Sequence, residues 1–157
     1  MTVEELLAQA RSRLERLDPQ AASEAFAPGE AQLVDIRSES QRAADGAVPG
    51  SVFIPRNVLE WRCDPASEHR DRRLVPDRRI VLMCDEGYQS SLAAATLRDL
   101  GLDATDLAGG FQAWRAAGLQ IEHPAAARAA GAGAPADQRS ERTCAVCGWT
   151  RPSSAAR

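Results

Sequence analysis

Arg79 to Leu100, RIVLMCDEGYQSSLAAATLRDL, is the stretch whose reading decides the fold. Arg79 to Met83 is a short run of Ile, Val and Leu, which suits a strand buried on both faces. Ser90 to Leu100 repeats Leu92, Ala95, Thr96 and Leu100 at near-helical spacing among small residues, and Gly101 follows as a stop signal. Between strand and helix lies the short loop Cys84-Asp-Glu-Gly-Tyr-Gln89.

A loop in that place suits a reactive thiol. The first turn of a helix carries backbone N–H groups with no internal partner, and its dipole is positive at that end. A loop wrapped over it can aim several amides at one sulfur or one oxyanion. A cysteine so placed gains thiolate character. Gly87 allows the loop a positive φ, and Ser90 can either cap the helix or donate to whatever the cysteine holds. The plainer alternative for Cys84 is a small buried apolar residue at a strand end. The loop and the helix behind it favour the nucleophile.

The rest of the chain alternates in the same way. Residues 3–17 are predicted to form an amphipathic helix, with Thr2 as N-cap and Glu5 completing a capping box. Asp18-Pro19 starts a second helix, which runs to Phe26 and stops at Pro28-Gly29. Ala31 to Ile36 reads as a strand, Ser38 caps a short helix through Ala44, and Asp45 to Gly50 is a turn. Ser51 to Ile54 is a further strand, a helix from Pro55 to Arg62 follows, and 63–76 is a charged surface excursion. Ala104 to Leu107 is the last strand, and Gly109-Gly110 opens a helix over 111–117. Apolar strands alternating with helices predict an α/β fold, a doubly wound and mainly parallel sheet covered on both faces. Reactive groups in such sheets sit at the carboxyl ends of strands, where Asp35, Arg37 and Cys84 fall.

Composition narrows the function. The chain has 157 residues, is 44% hydrophobic and carries a net charge of −3, which does not favour nucleic acid or an anionic membrane as partner. Every basic residue is Arg, so Schiff-base chemistry on lysine is excluded. The charged N-terminus lacks a signal-peptide core and no apolar run is long enough to cross a bilayer, so a cytoplasmic protein is expected. The four cysteines, Cys63, Cys84, Cys144 and Cys147, are too few and unevenly placed for a disulfide scaffold. From Pro124 the composition turns to Ala and Gly. The expected organisation is an N-terminal helix (1–17), an α/β domain (18–123), a flexible linker (124–142) and a Cys-x-x-Cys tail (143–157).

Four segments now stand in a recognisable order: LVDIRSESQ (33–41), GAVPGSVFIP (46–55), VLMCDEGYQSS (81–91) and DLAGGFQAW (106–114). Together they resemble the rhodanese-like sulfurtransferase family, over about residues 18–122. The resemblance implies a rhodanese-like fold and a persulfide mechanism. Cys84 would take the outer sulfur of a donor, residues Asp85, Glu86, Gly87, Tyr88, Gln89 and Ser90 would surround it, and a thiophilic acceptor would remove it. It implies a small-molecule or protein persulfide as donor, a thiol as acceptor, and no metal or organic cofactor. Asp35 and Arg37 match a buried pair of structural character. Sulfurtransferases of this fold have a six-residue loop counted from the cysteine, as here; phosphatase and arsenate reductase relatives have one more residue and close on Arg.

Two departures bear on substrate. Where the family often has a basic residue after the cysteine and Arg at the loop's end, this chain has Asp85 and Gln89, with Glu86 between them. At ~6 Å and an effective dielectric constant near 20, each carboxylate would oppose a thiolate by roughly 2–3 kcal/mol before screening. Thiosulfate is therefore expected to be a poor donor and a persulfide a better one. Ala47 stands where the family often has His, which removes that group from acid–base work. The acidic loop also leaves open a non-catalytic module that binds or senses sulfur species.

The remaining candidates have two readings each. Tyr88 forms a pocket rim or a solvent-edge aromatic, and Trp61 lines the pocket mouth or packs. Phe111 and Trp114 read as core. Cys63 either pairs with Cys84 in a disulfide switch or is a lone thiol. Cys144 and Cys147 form half of a zinc ribbon, a redox dithiol, a relay that removes sulfur from Cys84, or incidental tail thiols.

Overall fold

Two-residue alternation along the central strands divides the core between the two faces of a sheet. β1 (Ala31–Asp35), β2 (Val52–Phe53), β3 (Arg79–Met83) and β4 (Ala104–Asp106) pair in the order β2-β1-β3-β4, and every ladder is parallel. Leu33, Val81 and Met83 face one layer with Ala22, Phe111 and Trp114; Val34, Ile80 and Leu82 face the other with Leu59, Ala93, Ala94 and Leu97. The computed structural model describes residues 1–124, and Met1–Pro124 is one compact unit. The linker and the Cys144–Cys147 motif lie outside the described residues. Among the described residues, no helix is long and apolar enough to cross a membrane.

Local signals placed the helix starts. In α1 (Val3–Arg11) the Thr2–Glu5 capping box forms, with Thr2 Oγ1 accepting from Glu5 N at 3.1 Å and Glu5 accepting from Thr2 N at 2.7 Å. Asp18 caps α2 (Pro19–Phe26), with Pro19 at its first position. Ser38 caps α3 (Glu39–Asp45), again as a capping box, with Gln41.

Two element readings are corrected. The helix predicted over 3–17 ends at Arg11, because the following segment turns to run beside β4: Leu17 N donates to Asp106 O at 3.1 Å and Ala108 N to Leu17 O at 2.8 Å. The helix predicted over 55–62 is a 3-10 turn (Arg56–Val58) followed by α4 (Leu59–Cys63). The helix read over 90–100 forms as α5 (Gln89–Asp99), whose sheet-facing residues are Ala93, Ala94 and Leu97, all 0% exposed. Leu92, Ala95 and Thr96 turn toward α1, lining a groove with Leu6, Gln9 and Ala10. A helix buried on two sides carries two overlapping patterns, and small residues let it approach the sheet closely.

The Gly109-Gly110 turn fixes the last helix, α6 (Gly110–Ala116), against the central loop. Phe111 N donates to Cys84 O at 2.9 Å and Gln112 N to Asp85 O at 3.0 Å. Gly110 has φ +61°, and a Cβ there would lie 2.5 Å from Asp85 O and 2.6 Å from Cys84 O. Gly110→Ala is therefore expected to lower unfolding free energy by about 1–3 kcal/mol or more, measured by denaturant titration.

Cys63 sits at the end of α4 in the core, 6% exposed. Burial pushes its thiol up to about 12, with Glu60 and Asp71 adding to the shift. Such a thiol keeps its proton at neutral pH and is a poor nucleophile. Native protein at pH 7.5 should leave Cys63 unlabelled by iodoacetamide, with labelling appearing above about pH 11 or on unfolding; peptide mapping reads the outcome.

Candidate active site

Parallel register brings the carboxyl ends of β1 and β3 level, pairing Asp35 with Met83. Arg37 and Cys84 then emerge from neighbouring strands at the same edge. Cys84 is 6% exposed but lines a surface cavity of about 290 Å³, together with Arg37, Gln41, Asp85, Glu86, Tyr88 and Gln89. The loop curls back over the sulfur. Gly87 N donates to Sγ at 3.2 Å and Ser90 N at 3.4 Å. These amides face a sulfur that carries negative charge when it reacts. Gly87 adopts φ +81°, and a Cβ there would come within 2.7 Å of Gly109 N, so the curl needs glycine.

Ser90 does not cap α5. Its hydroxyl lies 3.2 Å from Sγ and donates to Asp106 Oδ2 at 3.0 Å. With that proton committed, Oγ accepts from the thiol. Asp106, 0% exposed, also accepts from Ser91 Oγ at 2.8 Å and from Arg16 Nε and Nη2 at 2.9 and 3.1 Å. Arg16 Nη2 reaches on to the Gly87 carbonyl at 3.0 Å, and Arg11 Nη2 donates to the same oxygen at 2.8 Å. Sequence reasoning missed Arg11, Arg16 and Asp106 as neighbours of the loop. Periodicity placed both arginines on a plain amphipathic helix, and nothing local to 106 marks its partners.

The predicted Asp35–Arg37 pair forms. Arg37 Nε donates to Asp35 Oδ1 at 3.0 Å and Nη2 to Oδ2 at 2.7 Å, with neither side chain exposed. Nη2 also donates to Gly46 O at 2.8 Å, and Arg42 Nε adds a contact to Asp35 at 3.1 Å. The Arg37 guanidinium lies 3.7 Å from the centroid of Phe111, over its ring face. Among the described residues, its Nη1 is the buried side-chain nitrogen without a hydrogen bond.

The acidic residues divide. Asp85 is turned toward α6, accepting from Gln112 Nε2 at 2.9 Å, while Glu86 is exposed. Tyr88, 58% exposed, stands at the cavity rim, with Arg11 5.4 Å from its ring centroid. Trp61 is 57% exposed and takes no part in the cavity lining, so neither of its expected roles is met. Cys63 and Cys84 are both free thiols. Among the described residues, no group of three or more His, Cys, Asp or Glu is placed to hold a metal ion.

Comparison with known proteins gives this arrangement its family. The chain is 34% identical over 99 residues to the HTH-type transcriptional regulator Rv0324 of Mycobacterium tuberculosis (strain ATCC 25618 / H37Rv); the match covers 62% of this chain and 40% of that protein. It therefore spans well under half of that regulator's length. A solved protein of unknown function from Rhodopseudomonas palustris CGA009, described as a possible tyrosine phosphatase, is 34% identical with a TM-score of 0.72, covering 78% of this chain and 95% of the other. The thiosulfate sulfurtransferase of Pseudomonas aeruginosa shares the fold at 24% identity and a TM-score of 0.56, over 69% of this chain and 19% of that one. The family model of the rhodanese-like domain matches residues 18–117, most of the described unit, and the chain belongs to the rhodanese-like domain family.

Proposed function

We propose that this protein is a sulfurtransferase that carries sulfane sulfur on Cys84. The observation that carries the reading is the pair of amides, Gly87 N–H and Ser90 N–H, directed at a single sulfur on the wall of an open cavity. The Cys84 thiolate attacks the outer sulfur of a donor persulfide. A new S–S bond forms, the donor's own S–S bond breaks, and the donor leaves as a thiolate. An acceptor thiolate then attacks the outer sulfur of the Cys84 persulfide, takes it, and returns Cys84 as thiolate. No cofactor takes part. Asp35 and Arg37 act structurally, holding the β1 end that forms one wall of the cavity.

The cavity supports a persulfide over thiosulfate. Its lining sets Asp85 and Glu86 against Arg37, so a dianion meets net repulsion. Solvent reduces the Glu86 contribution, and the Gln112 contact draws the Asp85 charge aside. Phosphatase chemistry, suggested by the description of the R. palustris relative, is disfavoured. The loop ends at Gln89 and Ser90, leaving no Arg to hold a tetrahedral oxyanion by two hydrogen bonds.

A second reading rests on the match to the mycobacterial regulator: a module that accepts sulfur and reports it without passing it on. Intact mass after incubation with sulfur donors separates these readings. Wild type should gain one sulfur mass, and Cys84→Ser none at this site. Sulfur should then leave to a small thiol. Loading without release supports the sensing module, and no adduct with any donor defeats the transferase. Loading by an organic persulfide should exceed loading by thiosulfate at least tenfold; equal rates would remove the role given to the acidic loop.

A further inference from the structure

Two guanidinium groups converge on one backbone oxygen of the loop, and both come from residues ahead of the 18–117 family match. The Gly87 carbonyl accepts from Arg11 Nη2 at 2.8 Å and Arg16 Nη2 at 3.0 Å. Each arginine is itself anchored. Arg16 forms a two-bond pair with buried Asp106, and Arg11 Nε reaches Ser91 Oγ at 3.3 Å and stacks near Tyr88. The segment carrying Arg16 is tied to the sheet edge by Leu17 N to Asp106 O at 3.1 Å and by Thr105 Oγ1 to Glu15 O at 2.7 Å.

That carbonyl belongs to the peptide whose other edge is the Tyr88 N–H. The peptide is trans, so the N–H points opposite to the C=O, away from the arginines. No acceptor among the described residues takes it. A backbone donor at a helix start, held with its partner carbonyl fixed, is a preorganised anion contact.

We propose that Arg11 and Arg16 are positioning residues: by holding the Gly87 carbonyl they fix the Tyr88 N–H as a donor for the outer sulfur of the Cys84 persulfide. This rests on the sulfurtransferase reading. The loop that carries Asp85 and Glu86 lacks a basic residue of its own, and the Arg16 charge is already paired with Asp106, so what the N-terminal segment contributes from outside the loop is the orientation of its peptide.

The test uses the full chain, glutathione persulfide as donor, and amide NMR with intact mass as readouts. In wild type, loading should shift the Tyr88 amide resonance downfield. Arg11→Ala should melt within a few degrees of wild type, reduce that shift by half or more, and slow loading by about 10-fold to 100-fold. Arg11→Lys, which keeps a cationic donor, should recover part of both. Arg16→Lys should show a similar partial loss. A Tyr88 resonance that does not respond to loading in wild type overturns the inference without any variant. So does a Tyr88 shift and loading rate unchanged in folded Arg11→Ala. Wild type that takes up no sulfur overturns the underlying reading instead, and intact mass distinguishes that failure from the others.

Discussion

Asp106 is a carboxylate with none of its surface in water, and the site is built around satisfying it. Removing a carboxylate from water costs several kcal/mol unless hydrogen bonds and a counter-charge replace the lost hydration. Arg16 returns charge and two hydrogen bonds, while Ser90 and Ser91 return one each. Meeting that need pins three separate pieces of chain: the segment after α1, the end of β4 and the first turn of α5. Ser90 is thereby oriented beside the Cys84 sulfur, and Arg16 is carried to the loop. The surroundings of the nucleophile follow from a burial problem solved elsewhere.

What could be read in the sequence was local. Thr2 with Glu5, Asp18 with Pro19, and Ser38 with Gln41 all set helix starts, because a cap acts over three residues and needs no tertiary context. The strands read over Arg79 to Met83 and Ala31 to Ile36 are apolar runs, the second one residue longer than β1, and the loop between β3 and α5 falls within a residue of its reading. The Asp35–Arg37 pair was legible because its partners are two residues apart. The Arg16–Asp106 pair was not, because its partners are 90 residues apart and meet only when the segment after α1 aligns with β4. The end of α1 was overrun for the same reason: Leu14 and Leu17 continue the apolar spacing, but they pack as an extended edge segment.

The acidic loop looks different once folded. Read along the chain, Asp85 and Glu86 oppose a thiolate at close range. In space, Asp85 leans on Gln112, Glu86 faces water, and two guanidiniums stand behind Gly87. Both arginines come from the segment before residue 18, outside the match that defines the family.

The long span between Arg16 and Asp106 also sets an order of events during synthesis. During synthesis Arg16 comes first, the cysteine loop follows, and Asp106 comes after both, so until then Arg16 has no carboxylate to grip. Contacts of such sequence separation form late in folding. The thiol therefore gains its full surroundings only when the sheet closes, and a prematurely terminated chain would carry the nucleophile without the groups that organise it.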